Sequence, residues 1–386
     1  MKLPVYLDYN ATTPVAPEVA DAMEPFLRTH FGNPSSAHAY GRQAREAVDQ
    51  ARKHVAALIG ADESEIVFTG CATEANNLAI FGIAKALRTK RRHIITSAIE
   101  HPAVMQPCLQ LQDEGWDVTI VPVDGDGRVD RDNLSRAVRN DTALVTIMHA
   151  NNEVGTLQEI ADIANMAHAR GALVHTDAAQ SVGKVPVDIG ALGVDLLTIA
   201  GHKFYAPKGV GALYVRRGTP IAPIIAGADH ERGLRPGTEN VPAIVGLGEA
   251  ARLARERQPS TSTTLRRRRD LLHQLLADGV SGLVLNGHAE HRLPSTLNVS
   301  FPGVSGRDLL HAVADDVAAS VGSACHSDAG TVSGVLAAMG IGFERAAGAV
   351  RLSVGVFTTE EEVRHAANTL IRCWHESTRM AHGPGR

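Results

Sequence analysis

Between about residue 45 and residue 255, short apolar, β-branched runs alternate with stretches whose apolar positions recur at helical spacing. Such alternation predicts βα units around a mostly parallel sheet. Strands are expected at 65–69, 93–97, 118–122, 143–148, 173–176, 196–199 and 211–215, with helices at 41–59, 74–88, 103–113, 129–138 and 160–170. The ends of the chain break the pattern. Residues 1–13 and the region after 258 read as a separate α+β unit, with a long helix, strands near 283 and at 296–300, helices at 306–317 and 332–339, a strand at 349–353 and a last helix from 360. The run Gln258-Pro-Ser-Thr-Ser-Thr-Thr is expected to interrupt a helix or act as a hinge.

The expected organisation is therefore a large α/β domain at 14–257 and a small α+β domain made of 1–13 and 258–386. A length of 386 residues fits one large core and one smaller one. The net charge of −4 gives no electrostatic footprint for nucleic acid. Arg266 to Arg269 has no interleaved aromatic residues and reads as a solvated helix face. No apolar run approaches the ~18 residues of a membrane span. With no leader-like N-terminus, neither a nucleic-acid nor a membrane partner is expected, and a cytoplasmic location is. The cysteines, Cys71, Cys108, Cys325 and Cys373, lack zinc or disulfide-framework spacing, so no metal is expected.

Several short segments carry candidate chemistry. Thr69-Gly-Cys-Ala-Thr73-Glu-Ala-Asn-Asn77 places small residues where a strand gives way to a helix, either as a phosphate seat or as an ordinary N-cap. Asp177 ends a strand, where a carboxylate could hold a ring nitrogen protonated or simply cap a turn. Lys203 follows the next strand and could form a Schiff base, with Lys208 an alternative on spacing alone. Together they form the set that pyridoxal phosphate needs, with His101 on the same rim able to stack on its ring or, as a catalytic group, to move a proton. In the C-terminal region, Cys325 sits in a polar, glycine-containing loop suited to an exposed thiol, beside His326. Arg351, within an apolar strand, calls for an anion: a substrate carboxylate or a structural salt bridge.

Tyr6-Leu-Asp-Tyr-Asn10-Ala-Thr-Thr-Pro14, Gly32-Asn-Pro-Ser-Ser-Ala-His38, Glu100-His-Pro102, His149-Ala-Asn-Asn-Glu-Val-Gly155, His175-Thr-Asp-Ala-Ala-Gln180, Gly201-His-Lys-Phe-Tyr205, Arg235-Pro-Gly-Thr-Glu-Asn240 and Gly322-Ser-Ala-Cys325 resemble, in order, the cysteine desulfurase family. The resemblance implies a homodimeric, fold-type I, class V aminotransferase-like enzyme using pyridoxal 5'-phosphate, its large domain built on a mainly parallel seven-stranded sheet. It implies that Lys203 bonds the cofactor aldehyde, Asp177 pairs with the ring nitrogen and His101 stacks on the ring. Asn152 and Gln180 would contact the ring's oxygen side.

Ala72, Thr73 and His202 would hold the phosphate, helped by the backbone at Ala200 and Gly201, with Thr238 supplied by the partner subunit. Asn10 and Asn152 would lie near the substrate, Arg351 would take its carboxylate, and Cys325 would accept sulfur as a persulfide. The implied activity converts L-cysteine to L-alanine and delivers sulfur to an acceptor such as an iron–sulfur scaffold protein. The cysteine loop also resembles selenocysteine lyases, which release selenium from L-selenocysteine, and a non-catalytic cofactor-binding or scaffold protein is the alternative of another class.

Overall fold

The computed structural model describes residues 3–322 and 333–381. Its centre is a seven-stranded sheet in the spatial order Ile66–Thr69, Gly211–Val215, Leu196–Ala200, Leu173–Asp177, Thr142–Thr146, His93–Ser97, Asp117–Val121. The Gly211–Val215 strand runs antiparallel to both its neighbours, and every other pairing is parallel. Helices cover the sheet, so five of its strands, Ile66–Thr69, His93–Ser97, Thr142–Thr146, Leu196–Ala200 and Gly211–Val215, are buried at every position. Burial on that scale makes a polar side chain within a strand costly unless it finds a partner. His175 lies between Thr146 Oγ1 at 2.8 Å and Thr198 Oγ1 at 3.1 Å, on the two adjacent strands. Its burial pulls the imidazole pKa down to about 4, so the ring is a neutral cross-strand link.

A three-stranded antiparallel sheet of Val284–Asn286, Thr296–Ser300 and Ala349–Ser353 carries a second core that includes Leu7, Leu272, Leu297, Leu352 and Leu370. Val5–Tyr6 pairs in parallel with Val317–Ala318, which ties the N-terminal segment to this second region. The expected helix at 306–317 accordingly stops at Ala312, because Val317 is needed as a strand residue.

The expected interruption at 258–264 is absent. One helix, Val241–Gly279, runs through it with Pro259 inside. Proline removes a backbone donor, yet the surrounding hydroxyls fold back onto the helix: Ser260 Oγ donates to Arg257 O at 2.9 Å and Thr263 Oγ1 to Pro259 O at 3.0 Å. Apolar residues on either side anchor the helix in both cores, Leu247 and Leu253 in the first and Leu265, Leu272 and Leu276 in the second. Tertiary packing thus overrides the local breaker signal.

Candidate active site

The C-terminal ends of the parallel strands converge, and the chemistry collects there. Asp177, the last residue of its strand and 7% exposed, accepts Asn76 Nδ2 at 2.7 Å on one oxygen and the Ala179 N–H at 2.9 Å on the other. His101 caps the helix Pro102–Asp113, its Nδ1 accepting the Ala103 N–H at 3.1 Å. That bond leaves Nε2 to carry the proton of the neutral ring. Burial lowers the His101 pKa; Asp177 opposes the shift and Lys203 adds to it. Glu100, beneath them, accepts the Ser97 hydroxyl and the Met148 N–H, and burial raises its pKa to about 8.

Lys203 ends the short turn Gly201–Lys203 that follows the Leu196–Ala200 strand. Its Nζ donates to Asn10 O at 2.6 Å and Ala11 O at 2.7 Å, whereas Lys208 is exposed. Tyr205, two residues on, has a φ of +73°, a left-handed conformation that costs a non-glycine residue about 1 kcal/mol. Thr13 Oγ1 accepts its N–H at 2.8 Å, and its hydroxyl accepts the Val356 N–H at 2.9 Å. The strained turn is pinned from two sides next to the lysine.

The N-terminal segment and the second sheet complete the cluster. Asn10, 1% exposed, donates through Nδ2 to Thr296 Oγ1 at 2.8 Å and Asn152 O at 3.2 Å. Gln180 Nε2 donates to Asn10 O at 2.9 Å. Arg351, 2% exposed, donates through Nη2 to Asp8 Oδ1 at 2.8 Å and through Nη1 to Asn152 O at 3.1 Å. Of the two partners that the sequence suggests for this arginine, the structural carboxylate is present as Asp8, and the buried Nε has no partner among the described residues.

The helix Ala72–Leu87 begins at Cys71, which gives it no side-chain cap. The neighbouring strand comes so near that a Cβ on Gly211 would lie 2.9 Å from Cys71 C and 3.1 Å from Ala72 N. Thr73 is exposed at this end. Uncapped N–H groups and the helix dipole make such an end favourable for an anion. His202 Nδ1 lies 3.1 Å from Thr12 Oγ1, and burial with nearby lysines lowers its pKa to about 4.

The aminotransferase class-V family model matches residues 5–365. The chain belongs to that family, in its cysteine desulfurase branch. The cysteine desulfurase IscS of Dictyoglomus turgidum is 47% identical over 373 residues, covering 96% of this chain and 95% of the relative. That of Klebsiella pneumoniae is 50% identical over 377 residues, covering 96% and 93%. Among solved structures, a NifS-like protein superposes with a TM-score of 0.90 at 39% identity, covering 97% of this chain and all of the other. SspA in complex with cysteine gives 0.82 at 38% identity, covering 92% and 99%. The class-V aminotransferases use pyridoxal phosphate, and the mainly parallel sheet is their fold-type I arrangement.

In this member of the class-V family, Asn10, Asn152, Gln180, Lys203 and Arg351 fall into one connected network, and His101 lies close enough to both Lys203 and Asp177 to feel the charge of each. Thr238 is instead exposed, outside that network, ahead of the helix Val241–Gly279. Cys325 lies outside the described residues. Sequence reasoning missed Asn76, Asp8 and Thr296, the side chains that hold Asp177, Arg351 and Asn10. Asn76 and Asp8 stand inside segments already singled out, but only the fold shows whom they face. Among the described residues no helix is long and apolar enough to cross a membrane, and no cluster of three or more His, Cys, Asp or Glu could hold a metal.

Proposed function

We infer that the chain is a pyridoxal-phosphate-dependent cysteine desulfurase that converts L-cysteine to L-alanine, passes the sulfur to Cys325 as a persulfide and delivers it to an acceptor such as an iron–sulfur scaffold protein. The observation that carries this reading is the joining of Lys203 and Arg351 through Asn10 and Asn152, with His101 within reach of the charges of both Lys203 and Asp177, in a chain about half identical to cysteine desulfurases. Those relatives do not favour a selenocysteine lyase or a non-catalytic scaffold.

The residues present fit the cofactor. The helix end at Ala72 lacks a cap, and Asn10 Oδ1, Asn76 Oδ1 and Arg351 Nε are buried without partners among the described residues. Ala72, Thr73, Ala200, Gly201 and His202 would hold the phosphate, Asp177 the ring nitrogen, His101 the ring face, Asn152 and Gln180 the ring oxygen, and Lys203 the aldehyde carbon. Thr238 would reach the phosphate of the partner subunit in a homodimer. Bound there, pyridoxal phosphate supplies an electrophilic carbon and a ring able to hold an electron pair.

The chain's own groups supply the rest. Arg351 and Asn10 orient the substrate carboxylate, a match to the fork of an arginine. Lys203, once its amine is released, takes the proton from the substrate Cα. Cys325 Sγ, as thiolate, forms a bond to the substrate sulfur as the substrate Cβ–S bond breaks. The electron pair of that bond stays with the carbon side, which gains a proton on the way to alanine. We assign the cofactor to residues 14–257, and Arg351 and Cys325 to a small domain of 1–13 and 258–386; the sharing of Leu7 with the second core supports this division. A cytoplasmic site of action accords with it.

Borohydride reduction and alanine release test the assignment. The loaded wild type is expected to show a visible band that borohydride removes, and Lys203→Ala to lack that reducible band. Cys325→Ala is expected to release no alanine from L-cysteine. Unimpaired cysteine turnover by Cys325→Ala would remove the thiol from the mechanism, and a loaded wild type without a reducible band would remove the lysine. Loss of cysteine turnover with retained selenocysteine turnover would reopen the lyase reading.

A further inference from the structure

Lys184 is 5% exposed, and none of the chemistry above uses it. It stands on the turn after the Leu173–Asp177 strand, four residues beyond Gln180. The Ser181 and Val182 N–H groups donate to Ala178 O at 3.0 Å each, and those of Lys184 and Val185 to Ser181 O at 3.0 Å each. Gly183, at φ +78°, lies so close to Phe204 that a Cβ there would be 2.8 Å from the phenylalanine Cβ. The turn is thereby pressed against the segment that carries Lys203. Its geometry brings Lys184 Nζ to 2.9 Å from Gln180 Oε1.

An ammonium group can only donate, so the amide oxygen of Gln180 must face Lys184 and its NH2 must face the other way. Gln180 Nε2 indeed donates to Asn10 O, the same oxygen that accepts Lys203 Nζ. The acceptor for Lys184 is a neutral amide, while Lys203 and Arg351, the charged groups that bear on it, are cations. Burial and these two neighbours lower the Lys184 pKa to about 7. A cation buried in that company is costly until negative charge arrives.

We propose that Lys184 is a positioning residue for the cofactor: it locks the Gln180 amide with Nε2 toward the site and, through that amide, draws negative charge onto the ring oxygen. This rests on the assignment of Lys203 and Gln180 to pyridoxal phosphate. Hydrogen bonds in a buried chain polarise one another, so the charge on Lys184 is felt one amide away. The proton at the cofactor–Lys203 bond is then held less tightly, in a field that Asp177, His101, His202 and Arg351 also shape.

The test is a pH titration of the visible band in loaded enzyme without substrate, alongside the unfolding temperature. Lys184→Met is expected to raise the midpoint by about one pH unit, a tenfold gain in proton affinity. Lys184→Arg, which keeps the charge, is expected to stay nearer the wild type than Lys184→Met does. Adding Lys184→Met to Gln180→Met is expected to move the midpoint less than Lys184→Met does alone. A midpoint unmoved in folded, loaded Lys184→Met overturns the proposal, as does full additivity with Gln180→Met. If Lys184→Met fails to fold or load, Lys184→Gln and Lys184→Arg are compared, and equal midpoints overturn it. A wild type without a borohydride-sensitive band instead sinks the underlying cofactor assignment.

Discussion

The two sheets place functional groups in different ways. In the seven-stranded sheet, Asp177 ends a strand and Lys203 lies in the turn after the next one. The interiors of those strands are filled by core residues and by neutral pairs such as His175 with Thr146. In the three-stranded sheet, Arg351 sits in the middle of Ala349–Ser353, opposite Asn298, and is itself buried. A strand-end group can change with little loss of packing, whereas a mid-strand arginine assigned to the substrate would serve site and fold together. Catalysis and stability are therefore expected to be separable in the first region and coupled in the second.

The largest effect tests the separable side. Asp177→Asn keeps the shape but gives up the charge that would hold the ring nitrogen protonated, so kcat is expected to fall about a thousandfold. Its stability cost stays under about 1.5 kcal/mol, since one of its two hydrogen bonds survives. Steady-state alanine release and urea unfolding measure both. Arg351→Met is expected to lose about a hundredfold in kcat/KM and, by stranding the Asp8 carboxylate and removing one of the two donors to Asn152 O, about 2 kcal/mol of stability. A larger stability loss in Asp177→Asn than in Arg351→Met would break the comparison.

A smaller effect concerns pH. Glu100 bridges the ends of two strands of the large sheet and its pKa is raised from 4.5 to about 8 by burial. The folded state then keeps a proton that the unfolded chain releases above pH ~4.5. This contribution is complete below that pH and is lost as pH rises through about 8. Glu100→Gln, which cannot ionise, is expected to flatten the decline in unfolding free energy between about pH 5 and pH 8.5. An unchanged slope would mean that the carboxyl is ionised in the folded protein.

The rim of the large sheet was legible in the sequence because its signals are local: a β-branched run, then small residues, then Asp177 or Lys203. The Gly211–Val215 and Ala349–Ser353 strands also emerged with their bounds. What stayed hidden depends on contacts between residues far apart in the chain. Asp8 meets Arg351 across 343 positions, and Asn76 meets Asp177 across 101. The Lys184–Gln180 pair is local, but its meaning needs the knowledge that the turn is buried. At 258–264 the local signal was clear and pointed the wrong way, because a proline among hydroxyl residues cannot report the two cores that hold the helix.

That helix supplies the smallest and most discriminating prediction. Pro259 is exposed, between Leu253, the last buried residue of the helix in the first core, and Leu265, the first buried one in the second. An interior proline leaves a helix carbonyl without its N–H partner, and a helix interior favours alanine by up to ~3 kcal/mol. Part of that cost is already offset by the hydroxyl bonds of Ser260 and Thr263, and proline also restricts the unfolded chain. Pro259→Ala is therefore expected to stabilise the protein by about 0.5–1 kcal/mol in urea unfolding, with alanine release unchanged. If turnover falls while stability rises, bending at this point is part of the cycle, and the coupling found at Arg351 extends to the helix that joins the two cores.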